Sequence, residues 1–183
     1  MCQPFGAKIE MDYAMAHFAG KSLKSNLEHV ENLIGIKLPD YFEKEFRKRT
    51  FKSFKANLEP IKGIHELLEK IAVPFCVASS GPQEKIQLNL TTVGLIEKFE
   101  NRIFSSYDIN SWKPNPEIFE YAAKTMGFKP NECVVIEDSL AGVKAAKNGG
   151  FDVFGFANNH NHAELKKEGA TVFFDMEHLY GLL

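Results

Sequence analysis

The feature that most constrains the fold is the regular alternation of short apolar runs with helical patterns from Pro60 onward. This alternation predicts parallel strands joined by helices, which is typical of an α/β sheet that helices cover on both faces. The predicted strands are 75–78, 102–104, 133–136, 153–156 and 172–174. The predicted helices of this part are 63–71, 82–95, 116–127, 139–148, 161–168 and 176–182.

Residues 1–60 contain no strand pattern and favour helices at 8–19, 22–33 and 39–58. Ser22 is a suitable N-cap for the second of these helices, and Gly35 is a suitable terminator. The phenylalanines of the third helix recur at near-helical spacing, which is more typical of helix packing than of a binding surface. We therefore expect a helical module at 1–60 and an α/β core at 61–183.

Two adjacent carboxylates, Glu137 and Asp138, directly follow the apolar run 133–136. Ligands of open α/β sheets bind at the carboxyl ends of the strands, so both acids are expected at the binding edge. Carboxylate oxygens are typical ligands of hard divalent cations, and this pair indicates Mg²⁺. The alternative is a pair of solvated acids that opens the next helix.

Two further segments place complementary groups at predicted strand or helix ends. Ser79, Ser80 and Gly81 end a strand ahead of Pro82, and hydroxyls with free N–H groups at such a turn suit a phosphate. The alternative for the serines is ordinary helix capping. Lys113 is held in an extended segment by the following proline, which favours a positioned cation over a solvated surface lysine.

In this order, the three segments resemble the motifs of the haloacid dehalogenase-like hydrolases. Ser79 corresponds to the family's second motif, Lys113 to its third, and Glu137 with Asp138 to its fourth. The segment 104–114 is similar to the branch of 6-phosphogluconate phosphatases, to which the β-phosphoglucomutases are nearby relatives. The resemblance implies a Rossmann-like parallel sheet core with a helical cap module at the N-terminal side.

The resemblance also implies an activity, namely Mg²⁺-dependent hydrolysis of a small phosphorylated sugar or sugar acid through an aspartyl-phosphate. Asp138 would bind Mg²⁺ directly, and Glu137 would bind it or orient its water shell. The implied catalytic residues are Ser79 and Lys113, and the implied phosphate-binding residues are Ser79, Ser80, Gly81 and Lys113. A phosphosugar mutase is an alternative, because mutases and phosphatases share all four motifs.

The first motif of the family, Asp-x-Asp-Gly-Thr or a variant, does not occur among the 183 residues. In the family it supplies the nucleophile, and it lies on the first and central strand of the sheet. Asp12 follows no apolar strand, and we interpret it as a helix surface residue. We therefore expect that the chain begins inside the cap, lacks the central strand and does not turn over substrate. The alternative outside the enzymes is a truncated, non-catalytic remnant.

The segment from Phe18 to Lys24 resembles the cap loop that reads the non-phosphate end of the substrate. The residues it would contribute are Lys21, Ser22 and Lys24. The alternative is a plain helix junction in which Ser22 caps a helix and both lysines are solvated.

Composition limits the partners and the compartment. The formal net charge is −2 without a basic block, so neither nucleic acid nor a membrane is expected as a partner. Three cysteines without a metal-type spacing indicate a reducing cytoplasm. The expected protein is a cytoplasmic monomer whose partner is a small phosphorylated metabolite.

Overall fold

The computed structural model describes residues 1–18 and 21–183. Its α-helices are α1 (Met11–Phe18), α2 (Leu23–Ile34), α3 (Phe42–Asn57), α4 (Ile64–Lys70), α5 (Gln83–Thr92), α6 (Ser106–Ile109), α7 (Glu117–Met126), α8 (Leu140–Asn148), α9 (His162–Lys167) and α10 (Met176–Leu182). Short 3₁₀ helices lie at Gln3–Phe5, Ile96–Phe99 and Pro130–Glu132. No helix in the described part of the chain is both long and apolar enough to cross a membrane.

Five parallel strands form two separate ladders. The strands are β1 (Val77–Ser79), β2 (Ile103–Ser105), β3 (Val134–Glu137), β4 (Asp152–Phe156) and β5 (Thr171–Phe173). β1 pairs with β2, and β3, β4 and β5 pair in that order. Within the described residues β1 and β3 do not pair with each other, so each has one strand neighbour.

Side-chain packing joins the two ladders. The main hydrophobic cluster contains Phe104 of β2 and Val135 of β3, together with buried residues of α7 and α8. Among these, Ile118 of α7 and Val143 of α8 are fully buried. Because α7 packs against β1, β2 and α8, it holds together the two ladders that no backbone pairing connects.

The helical part before residue 60 is built on local signals that the sequence predicts. Ser22 accepts a hydrogen bond from the Ser25 N–H at 3.1 Å and caps α2, and Gly35 ends that helix at a φ of 71°. Phe42 of α3 is buried and packs edge-on against Phe5 at a centroid distance of 5.7 Å. Asp12 lies exposed in the first turn of α1, as predicted.

The predicted α/β class with parallel strands and covering helices is confirmed, and the differences are local. The first helix begins at Met11 instead of residue 8, and its predicted end at Ala19 lies outside the described residues. The helix after Ser80 begins at Gln83 with Pro82 as N-cap and ends at Thr92, because Gly94 has a φ of 70°. Helix α6 was not predicted, although Ser105 and Asp108 have capping-box spacing.

Candidate functional site

The loop after β1 is organised by the end of β2. Ser79 lies opposite Ser105 in the parallel register, and the buried Ser105 hydroxyl donates to the Gly81 carbonyl at 2.7 Å. The Gly81 N–H in turn donates to Ser79 Oγ at 3.1 Å. The Ser80 hydroxyl is buried and has no partner within the described residues. This loop therefore offers hydroxyl groups at the carboxyl end of β1.

Lys113 lies at the junction of the two ladders. Its side chain is 7% exposed, and its ammonium forms an ion pair with Glu137 at the end of β3. The same Nζ donates to the Ala78 carbonyl of β1 at 3.4 Å and lies 4.7 Å from the Phe119 ring centroid. The prediction of a positioned cation thus agrees with the geometry, and the alternative of a solvated surface lysine is wrong.

Both carboxylate oxygens of Glu137 are occupied by the protein. Oε1 faces the Lys113 ammonium, and Oε2 accepts from the Ser139 hydroxyl at 2.9 Å and from its N–H at 3.3 Å. Ser139 also caps α8 by accepting from the Gly142 N–H at 3.0 Å. A Cβ atom at position 142 would collide with the Glu137 carboxylate, so the first turn of α8 needs glycine there.

Asp138 is the carboxylate that remains available at this edge. Its side chain reaches solvent and has no hydrogen bond or ion pair to another side chain in the part of the molecule described. Partial burial by surrounding protein raises the pKa of this carboxyl, and the neighbouring negative charge of Glu137 raises it further. The backbone carbonyl of Asp138 accepts from Asn161 Nδ2 at 3.2 Å.

These residues fit a hard divalent cation in chemistry. Mg²⁺ is commonly bound through one or two carboxylates, substrate phosphate oxygens and water, and a solvent-reaching Asp138 at a strand end matches that donor set. Among the described residues there is no group of three or more His, Cys, Asp or Glu side chains that could hold a metal by itself. Asp138 is thus the carboxylate that could bind such a cation directly, and Glu137 lies beside it in the chain.

The candidate residues divide into a cluster and a remote set. Lys113 contacts Glu137 and the Ala78 carbonyl, and Asp138 and Ser79 are the next residues in the chain after Glu137 and Ala78. Ser22 serves as a helix cap, while Lys21 and Lys24 are exposed. In the part of the chain that the structure describes, no hydrogen bond joins these three cap residues to the cluster, so their binding role stays a prediction.

A cavity of about 560 Å³ lies elsewhere, at the opposite ends of β3 and β4. It is lined in part by Glu132, Val134, Asp152 and Phe154, and by none of the candidate residues. The cluster at the carboxyl ends of the strands is therefore taken as the candidate functional site, because it combines a buried cation, carboxylates and hydroxyls, which the lining of the cavity does not.

Sequence reasoning missed a second group of polar side chains near this edge. Arg47 of α3 reaches the hydroxyl of Tyr107, and Tyr107 packs edge-on against Trp112 at a centroid distance of 5.3 Å. Lys85 of α5 lies against the loop of Ser79, where a Cβ atom at Gly81 would be 3.4 Å from its Cδ. The one feature of the sequence that could have indicated this group is Lys85, which lies about one helical turn after the Ser-Ser-Gly-Pro segment.

The comparisons with known proteins agree with this architecture. The model of a family described as haloacid dehalogenase-like hydrolase matches residues 6–150, and the chain belongs to this family. Its relatives include the 6-phosphogluconate phosphatase of Escherichia coli K12, which is 30% identical over 98% of this chain and 81% of its own length.

Solved structures of the family superpose over nearly the whole chain. A conserved haloacid dehalogenase-like protein of unknown function from Agrobacterium tumefaciens has a TM-score of 0.81 at 28% identity, over 99% of this chain and 85% of its own. A candidate β-phosphoglucomutase from Thermotoga maritima has a TM-score of 0.75 at 24% identity, over 99% of this chain and 86% of its own. The expected family is thus confirmed, with a 6-phosphogluconate phosphatase among its relatives, whereas the likeness to the mutase structure shows the fold.

Proposed function

We propose that this chain provides the phosphate-binding and metal-binding half of a Mg²⁺-dependent phosphatase for a small phosphorylated sugar or sugar acid. The observation that carries the proposal is the contact of the buried Lys113 ammonium with both Glu137 and the Ala78 carbonyl, beside Ser79. This contact supports a cation fixed at the carboxyl ends of β1 and β3. The similarity to the 6-phosphogluconate phosphatase of Escherichia coli supports the substrate class.

Each side chain has a distinct task in this proposal. Lys113 would neutralise phosphoryl oxygens, and a cation held in place by Glu137 needs no reorganisation when the substrate arrives. The hydroxyls of Ser79 and Ser80 and the N–H groups of the loop would donate to the same oxygens. Asp138 would hold Mg²⁺, which when bound neutralises charge on the phosphoryl group.

The reaction itself would proceed through an aspartyl-phosphate, as in the family's scheme. No Asp-x-Asp segment occurs among the 183 residues. Glu137 is engaged by Lys113 and Ser139, and Asp138 is assigned to the metal. We therefore propose that this chain by itself binds a phosphorylated substrate without turning it over.

Calorimetric titration with inorganic phosphate tests the binding function. We expect binding that requires Mg²⁺, with affinity reduced at least about tenfold in Lys113→Met through loss of the charge-assisted contact. Asp138→Asn should remove Mg²⁺ binding and, with it, the phosphate binding that requires Mg²⁺. Lys144→Met, an exposed lysine of α8, serves as the matched control. Unchanged phosphate affinity in Lys113→Met would overturn the assignment.

Phosphate release tests the second half of the proposal. The 183-residue chain is incubated with 6-phosphogluconate and Mg²⁺, and inorganic phosphate is measured over time. We expect no turnover. Robust Mg²⁺-dependent release would refute the claim that the chain is inactive, while it would support the phosphatase class and the substrate.

A further inference from the structure

Two cations meet where α3 packs against the core helix α5. Arg47 of α3 donates through Nη2 to the Tyr107 hydroxyl at 3.4 Å, and its guanidinium carbon lies 5.9 Å from the Tyr107 ring centroid. Lys85 of α5 places its ammonium 5.4 Å from the ring centroid of Phe54 on α3. Both side chains are thus fixed by aromatic rings at the same junction.

This junction adjoins the phosphate site proposed above. The stem of Lys85 runs along the loop of β1, because a Cβ atom at Gly81 would lie 3.4 Å from Lys85 Cδ and 3.5 Å from Ser79 Oγ. On the other side, Tyr107 packs against Trp112, which directly precedes Lys113. A ligand whose phosphate lies at Ser79 therefore has the Lys85 stem beside it, and Arg47 is connected to the same end of the site through Tyr107 and Trp112.

The two cations of the junction differ in their partners. Glu43 accepts from Arg47 Nε and Nη2 at 2.9 and 2.7 Å, whereas Lys85 has no ion pair within the described residues. Asp108, the other nearby acid, accepts from Gln83 Nε2 at 2.8 Å. Lys85 is thus the cation of the junction without a carboxylate partner, and a monoanion would supply one.

The physical cost of this arrangement is visible in Lys85. Burial lowers the pKa of its ammonium, and the nearby positive charge of Arg47 lowers it further. A partly buried lysine beside a like charge is disfavoured in the free protein, and a bound anion relieves that cost.

We propose that Arg47 and Lys85 bind a second anionic group of the substrate, the carboxylate of a phosphorylated sugar acid. This inference rests on the proposed function, because the phosphate anchors the other end of the ligand. A carboxylate carries a single negative charge, which would pair with Lys85, whereas a second phosphate carries about −1.5 to −2. The preferred substrate is therefore a sugar acid phosphate instead of a neutral sugar phosphate.

Titration calorimetry with three probes in the presence of Mg²⁺ tests this subsite. The probes are 6-phosphogluconate, glucitol 6-phosphate, which has an alcohol in place of the carboxylate, and inorganic phosphate. We expect 6-phosphogluconate to bind about tenfold or more tightly than glucitol 6-phosphate, because charge-assisted hydrogen bonds form only with the carboxylate. Arg47→Gln and Lys85→Gln should each reduce this ratio toward one and leave inorganic phosphate binding unchanged.

Two kinds of control make the result specific. Lys52→Gln removes an exposed lysine of α3 and should leave the ratio of the two sugar-ligand affinities unchanged. Lys85→Arg keeps the positive charge and should retain most of that ratio. Circular dichroism confirms that each variant is folded. Equal affinity of the wild-type chain for the two sugar ligands, with inorganic phosphate still bound, would overturn the subsite alone. Failure of all three probes to bind the folded chain would overturn the proposed function and the subsite together.

Discussion

Replacing Lys113 by Met should strongly destabilise the protein. The Lys113 and Glu137 side chains are 7% and 8% exposed and form an ion pair. Methionine has a similar length and leaves little space unfilled, so the main effect is an uncompensated carboxylate in the interior. Breaking a buried pair by removing one partner costs about 3–5 kcal/mol. That is a large part of the about 5–15 kcal/mol that stabilises a whole domain.

The matched control is the exposed pair of Lys144 with Glu168. Its Nζ–Oε1 distance is 3.5 Å, and the two side chains are 41% and 34% exposed. Exposed pairs typically contribute about 0–1 kcal/mol, so Lys144→Met should change the free energy of unfolding by no more than that. The two variants lose the same charge, and their difference isolates the effect of burial.

Urea denaturation followed by circular dichroism at low temperature measures both variants. We expect a lower midpoint for Lys113→Met with an unchanged slope, since the surface exposed on unfolding stays the same. The double variant Lys113→Met with Glu137→Gln should recover part of the loss, because it removes the stranded charge. A loss below about 1 kcal/mol for Lys113→Met, or one equal to that of the control, would refute this reasoning.

Four further outcomes are expected. Gly142→Ala should lower the free energy of unfolding, measured by urea denaturation, by about 1–3 kcal/mol, because the new methyl group collides with the Glu137 carboxylate. In the control Gly181→Ala the methyl group meets nothing within 4 Å, so the stability should be unchanged or higher. Burial raises the pKa of Cys76 to about 11, so its alkylation rate, followed by mass spectrometry, should be low at pH 8 and rise toward pH 11. The pKa of Lys85 is lower in the folded than in the unfolded chain, so its charge destabilises the fold at neutral pH. Lys85→Met should therefore raise the urea midpoint at pH 7. The gain should shrink as the pH rises through the lowered pKa of the folded chain and disappear above the ordinary lysine value of about 10.5. Because β1 and β3 each have an unpaired edge within the described residues and Ile136 of β3 is 42% exposed, the purified chain should aggregate or melt broadly when it is heated. A monomer with a sharp reversible transition above about 50 °C, followed by circular dichroism and light scattering, would contradict this.

Local signals in the sequence predicted much of the fold, because they act over a few residues. Ser22 begins α2 by a side-chain cap, and Gly35 ends it in a left-handed backbone conformation. Both effects depend only on residue type and position. The apolar run before Glu137 predicted β3 for the same reason. The position of Glu137 at the carboxyl end of a parallel strand then follows from the direction of the chain.

The contacts between distant segments could not be predicted in this way. Arg47 and Tyr107 are separated by 60 positions, and their contact depends on how α3 lies on the core. Likewise, the sequence predicted both Glu137 and Asp138 as metal ligands. The ion pair with Lys113 and the bonds from Ser139 distinguish the two acids, and both depend on tertiary packing.

The position of Lys113 between two ladders gives the site a route of communication. A phosphate that binds the Lys113 ammonium would compete with Glu137 for the same positive charge. Glu137 is bonded to Ser139, whose hydroxyl caps α8, so that competition is felt at the first turn of a helix three contacts away. A charge bound at Lys113 is thus linked to the N-terminus of α8 by three side-chain contacts.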